Sequence, residues 1–248
     1  MLHFLLLALA GLLAGTMNAV AGGGSFVTFP ALVFAGLPPV AANATSTVAL
    51  FPGTMASTWA YRRELTGVAG LSLRMLLPIS LAGGFCGAIL LLVTPGAAFD
   101  RVIPWLLLLA TLTFAGGRAF GQALARRMRL GVPGLLVIQF VLAIYGGYFG
   151  GAIGLMMMAV WSLLDTADLK SMAPARTLLV SAANGMAVLC FAVAGVVRWP
   201  EMLEMLFSAG IGGYAGARVA RRLPPVVLRI GVTVLSAGVT AGFFWRLH

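Results

Sequence analysis

Charge is what this chain has least of. Charged residues fill 9% of its 248 positions, and only six of them are acidic. A water-soluble domain carries roughly 25% charged residues, so this supply cannot clothe a water-exposed surface. Cysteine and histidine are as scarce, at two each. Cys86 and Cys190 both sit in apolar runs and read as reduced, packed thiols, without partners for a disulfide framework or a metal site. His3 and His248 are terminal. There is no Ser–His pairing for nucleophilic attack and no Gly-x-x-x-x-Gly-Lys loop for nucleotide phosphates. An enzyme, a cofactor and a bound metal are therefore not expected.

Apolar sequence is what the chain does have. It is 61% hydrophobic, with a mean hydropathy of +1.04. Apolar segments recur at 4–21, 25–41, 44–61, 70–93, 101–121, 131–149, 153–164, 175–197, 202–219 and 226–245. A bilayer core needs roughly 20 helical residues to cross. The pattern predicts an all-α polytopic integral membrane protein of eight to ten membrane segments, with the lipid bilayer as its surroundings. Two segments are poor spans: 25–41 carries Pro30, Pro38 and Pro39, and 153–164 is short. Each is expected to form a bent or re-entrant hairpin with its neighbour. Leu5 to Leu13 followed by Ala19-Val-Ala21 has the outline of a signal peptide, but no Lys or Arg precedes it, so a retained segment is expected.

The net charge of +10 would suggest nucleic acid in a soluble protein, yet no exposed basic face is available here to bind one. Its better account is the positive-inside bias. Placing the Arg62-Arg63 and Arg126-Arg127-Met-Arg129 loops in the cytoplasm sends every basic residue there except Arg101, Arg198 and Arg246.

Two interruptions of the apolar pattern match one another. The first is Asn18-Ala-Val-Ala-Gly22-Gly23-Gly24-Ser25 and the second Gly146-Gly147-Tyr-Phe-Gly150-Gly151-Ala-Ile-Gly154, with Gly154 lying 130 residues after Gly24. Leu81-Ala-Gly83-Gly84-Phe-Cys-Gly87-Ala88 parallels Gly210-Ile-Gly212-Gly213-Tyr-Ala-Gly216-Ala217 at an offset of 129. These matches predict two transmembrane repeats, 1–125 and 126–248, of five segments each. An odd number inserts the second half in the opposite sense. Broken helices at matched positions of inverted halves are the best sequence pointer to a secondary transporter's binding site.

The chemistry at the breaks is uncharged. Gly22, Gly23 and Gly24, like Gly150, Gly151 and Gly154, let the backbone leave the helix and aim N–H groups at a ligand. A helix starting near Ser25 adds partial positive charge. Gly-xxx-Gly spacings also serve close helix packing, which is the expected role of Gly83 with Gly87 and of Gly212 with Gly216. Asn43, Thr45 and Ser46 open the third segment, where they can cap a helix, hold an anion, or both. Asn18 and Asn184 can bind a ligand or bond between helices. Arg176, followed by Thr177, falls opposite Thr45. Its guanidinium could grip an oxyanion or snorkel to the cytoplasmic interface. Glu64, Asp100, Asp165, Asp168, Glu201 and Glu204 all map to segment ends or loops, which argues against a carboxylate relay or a cation site.

At Gly15-Thr-Met-Asn18-Ala-Val-Ala-Gly22-Gly23-Gly24-Ser25, Pro30-Ala-Leu32, Gly36-Leu-Pro-Pro39, Ala42-Asn-Ala-Thr45-Ser46 and Tyr145-Gly-Gly-Tyr-Phe-Gly-Gly-Ala-Ile-Gly154 the chain resembles the TauE/SafE family, the sulfite exporter-like membrane transporters. The resemblance implies passage of small anions, chiefly sulfite, sulfonates and related organosulfur acids, across the bacterial cytoplasmic membrane. The expected function is thus anion transport by alternating access. An anion channel and a non-transporting scaffold subunit stand as alternatives, and a homo-oligomeric assembly is left open. Of the two breaks, the first is expected to carry more of the site.

Overall fold

Ten helices make up the computed structural model, which describes residues 2–68, 71–125, 131–161, 172–220 and 225–246. They are α1 (Leu2–Ala21), α2 (Ser25–Phe34), α3 (Pro39–Ala60), α4 (Leu73–Val93), α5 (Gly96–Ala125), α6 (Val132–Tyr148), α7 (Ile153–Trp161), α8 (Met172–Val193), α9 (Trp199–Ala220) and α10 (Pro225–Arg246). Among the described residues the only β pairing is an isolated bridge from Val68 to Leu71. The all-helical expectation holds, and one helix falls on each apolar segment. The basic residues of 126–130, 162–171 and 221–224 lie outside the described residues.

Helix boundaries follow local chemistry. Ser72 caps α4, its hydroxyl accepting the Arg74 N–H at 3.2 Å. Pro39 opens α3, where a missing N–H costs nothing and a fixed φ favours the first turn. That start corrects the reading of Asn43 as an N-cap, since it lies a full turn inside α3. The glycine breaks are shorter than expected, because Gly146 and Gly147 still belong to α6. Each break holds one left-handed glycine just past a helix end: Gly22 at φ +74° and Gly150 at φ +78°. A Cβ is disfavoured there, so these two glycines turn the chain. They lie 128 residues apart, two fewer than the offset between Gly24 and Gly154.

Among the described residues, three helices are long and apolar enough to cross a membrane: α4, the Gly96–Gly116 part of α5, and α8. Large apolar side chains also face outward all round, including Phe34, Trp59, Phe207 and Val193. A helix that is apolar on every face belongs in a core or a bilayer. Between helices, packing is close. In α4·α6, a Cβ on Gly147 would lie 2.8 Å from the Gly84 carbonyl carbon, and one on Gly83 would lie 2.8 Å from the Phe140 oxygen. In α1·α9, Gly15 presses on the backbone of Ala209 and Gly212 on the Leu12 carbonyl. Hydroxyl and amide bonds reinforce these seams: Thr16 to the Gly212 carbonyl (2.9 Å) and Gln139 Nε2 to Ser80 Oγ (3.0 Å). Each such bond contributes about 0.6 kcal/mol on average in a membrane. Shape therefore carries most of the association. An aromatic cluster of Phe29 with Phe99, Phe149 and Phe243 fills the core beside the breaks.

Candidate substrate cavity

Both breaks open onto one cavity. It measures about 130 Å³ and is walled by α1 (Asn18), the first break (Gly22, Ser25), α3 (Thr47, Leu50, Thr54, Ser57), the second break and α7 (Gly150, Ile153, Gly154, Leu155), and α8 (Arg176, Thr177, Val180, Asn184). Seven of the residues expected at the site meet here: Asn18, Gly22, Ser25, Gly150, Gly154, Arg176 and Thr177. Arg176 is the one charged side chain in this lining, and no carboxylate stands among the described residues that form it.

The geometry explains several of these positions. A Cβ on Gly154 would stand 3.2 Å from Arg176 Cδ, so this glycine makes room for the arginine stem. The guanidinium, half-buried, reaches Met158 Sδ from Nη1 at 3.3 Å. A thioether is a weak acceptor, so an oxyanion would be a stronger partner for the same N–H. Gly150 lies where a Cβ would be 3.8 Å from Thr47 Oγ1 and 3.9 Å from Asn184 Oδ1. The backbone thus comes within reach of two polar side chains. Asn184 Oδ1 is itself buried and has no hydrogen-bond partner among the described residues. The short helices α2 and α7 begin at the cavity wall, with Ser25 at one start and Ile153 at the other. The N–H groups of Phe26, Val27, Leu155 and Met156 donate to carbonyls of the breaks, while each helix start still carries the positive end of its dipole. Among the described lining residues the cavity is consequently polar and positive, with no carboxylate.

Other expected residues lie elsewhere. Gly23 packs on Phe114 and Met17, Gly24 on the Ala14 carbonyl and Leu50, and Gly151 on the Phe149 ring. Asn43, Thr45 and Ser46 are buried, do not line the cavity, and bond to the protein. Asn43 Nδ2 donates to the Tyr148 carbonyl at 2.9 Å, where α6 stops before the second break. Thr45 Oγ1 accepts the Arg198 N–H at 3.0 Å, and Ser46 bonds with Thr28 of α2. A residue of the first half thus fixes the turn of the second. Replacing Asn43 by leucine strands the Tyr148 carbonyl without its buried donor, which costs about 1–3 kcal/mol. The variant should melt below the wild type in a thermal unfolding assay of the detergent-solubilised protein.

The α3 face of the cavity was missed. Thr47, Thr54 and Ser57 stand at helical spacing along α3, and Arg176, Val180 and Asn184 do the same along α8. That stripe of small polar residues on an otherwise apolar helix was the available signal.

A family model described as Sulfite exporter TauE/SafE matches residues 7–243. The chain is 26% identical to the Probable membrane transporter protein YfcA of Escherichia coli (strain K12), covering 96% of this chain and 88% of that protein. It is 28% identical to a Probable membrane transporter protein of Haemophilus influenzae, covering 93% and 90%. A third relative, the Probable membrane transporter protein ORF9 of Sinorhizobium sp, is 29% identical, covering 86% and 80%. No solved structure matches.

Proposed function

The chain belongs to the TauE/SafE sulfite exporter family, a family of membrane transporters, and from that premise we propose that it carries a small oxyanion across the bacterial cytoplasmic membrane by alternating access. Sulfite or an organosulfonate is the proposed cargo. The observation that carries this reading is the cavity: among its described lining residues Arg176 is the lone charge and no carboxylate occurs, and two helices start at its wall. Guanidinium and backbone N–H groups bind oxyanions through charge-assisted hydrogen bonds. A cation site would need the opposite lining.

The pairing of helices supports two inverted repeats, 1–125 and 126–248. Exchange each helix for the one five places along, and α1·α9 becomes α6·α4, while α3·α9 becomes α8·α4. The pairs α3·α8 and α5·α10 map onto themselves. Individual contacts follow the same exchange, since Gly212 meets the Leu12 carbonyl as Gly83 meets that of Phe140. With the arginine bias as the guide to sidedness, α1–α2 dips in from outside and α6–α7 from the cytoplasm, and the two turns meet at the cavity.

Uptake of radiolabelled sulfite into proteoliposomes tests this. Saturable flux that rises when unlabelled sulfite or sulfonate is loaded on the far side is the expected result. Flux that is absent for every such anion, or that never saturates, would refute it. Asn184→Leu should raise the half-saturating anion concentration about tenfold, the weight of one lost polar contact of about 1.4 kcal/mol, with little change in melting temperature.

A further inference from the structure

Gly84 and Gly213 hold matching places in α4 and α9, yet their surroundings differ. A Cβ on Gly84 would press into α8, 2.6 Å from the Ala183 Cα. A Cβ on Gly213 would meet nothing closer than the Gly15 carbonyl oxygen, 3.6 Å away. The α4·α8 seam is therefore shut, backbone on backbone. The corresponding seam between α9 and α3 instead holds a second cavity of about 400 Å³, bounded in part by Pro52, Gly53, Gly210 and Gly213. This cavity shares Asn18, Leu50 and Ser57 with the polar one. It occupies the parts of α3 and α9 that run toward Arg62-Arg63 and Arg221-Arg222.

Three glycines here, Gly53, Gly210 and Gly213, have no atom closer than 3.6 Å to their Cβ positions in this conformation. Gly210 has nothing within 4 Å of its Cβ position, and Gly53 has only Asn18 Nδ2 at 3.8 Å. Glycine inside a helix is unfavourable relative to alanine, and bare glycine surfaces are what let two backbones meet. Gly84, the match of Gly213 in α4, already does so.

We propose that the α3–α9 cleft is the open gate of the transport path, and that the Gly84–Ala183 seam is its closed counterpart on the other side of the membrane. In the opposite state α9 closes on α3, with Gly213 against the backbone near Gly53, while α4 parts from α8. The two seams are then the same interface in its two packings, and interfaces of this kind switch between discrete arrangements rather than deforming gradually. The inference rests on the alternating-access reading given above, whose failure the following experiment separates from its own.

Spin labels on the outward-facing Met55 and Ile211, with Cys86 and Cys190 replaced by serine, report the α3–α9 separation in proteoliposomes. The unsubstituted gate should give two distance populations. Gly213→Leu, which fills the cleft with nothing nearer its Cβ position than the Gly15 carbonyl oxygen at 3.6 Å, should melt close to the parent, keep only the longer distance and slow sulfite flux more than about tenfold. Gly84→Leu should melt lower, because its seam is occupied. The proposal is overturned if Gly213→Leu retains the shorter distance or full flux, if it fails to fold while Gly210→Leu also fails, or if the parent shows one distance only. A parent that switches between two distances yet carries no anion would refute the cargo and leave the gate standing.

Discussion

Replacing Arg176 with alanine is expected to lower sulfite flux by about 10- to 100-fold while the protein stays folded. Among the described lining residues it supplies the only full charge. A hydrogen bond to a charged group is worth about 1.5–3 kcal/mol, which converts to that range. Arg176→Lys should recover part of the loss, since the charge remains but the planar fork that matches two oxygens does not. Stability should hold or rise, because the substitution also removes the cost of desolvating a half-buried guanidinium. Flux assays and thermal unfolding on the same preparations decide the matter. If Arg176 merely snorkels to the interface, alanine leaves the flux unchanged, and the oxyanion role is lost with it.

Gly147→Ala should destabilise the protein even though alanine is the better helix former by about 1 kcal/mol. Its Cβ would lie 2.9 Å from the Gly84 Cα and 2.8 Å from the Gly84 carbonyl carbon. Backbone atoms cannot rotate aside as a side chain does. The two helices are also held at neighbouring points, where Gly83 meets the Phe140 carbonyl and Gly87 meets the Tyr148 nitrogen. Overpacking of this kind costs about 1–3 kcal/mol, enough to overcome the propensity gain. The expected result is a lower melting temperature for Gly147→Ala. A raised melting temperature would mean that the α4·α6 seam is looser than these contacts imply.

Composition and proline placement carried most of the fold. Apolar runs marked each helix, and the double proline at Pro38 and Pro39 marked a boundary, although it begins α3 rather than closing the preceding segment. The breaks were legible because Gly22 and Gly150 occupy positions that side chains disfavour. The polar cluster was harder. Asn43, Thr45 and Ser46 look like a ligand site in one dimension, but the side on which each falls depends on the rotation of α3. That rotation is set by partners as remote as Tyr148 and Arg198. Thr47 and Thr54, one and about three turns beyond Asn43 on the same face of the helix, reach the cavity. Arg176 could be singled out but not assigned, because its surroundings come from Gly154 and Met158 across a fold that local sequence does not encode.

The α1·α9 seam bears on how the protein is made. Thr16 finds its Gly212 acceptor 196 residues further along the chain, whereas Gln139 reaches Ser80 across only 59. At about 5–20 residues per second, α1 waits roughly 10 to 40 s after leaving the ribosome before its partner exists. Its bare glycine face must be sheltered by lipid or by the insertion machinery throughout that interval. The α4·α6 seam can close early and act as the nucleus. The last helices to emerge then capture the first, so truncation of the C-terminus should release the N-terminus as well.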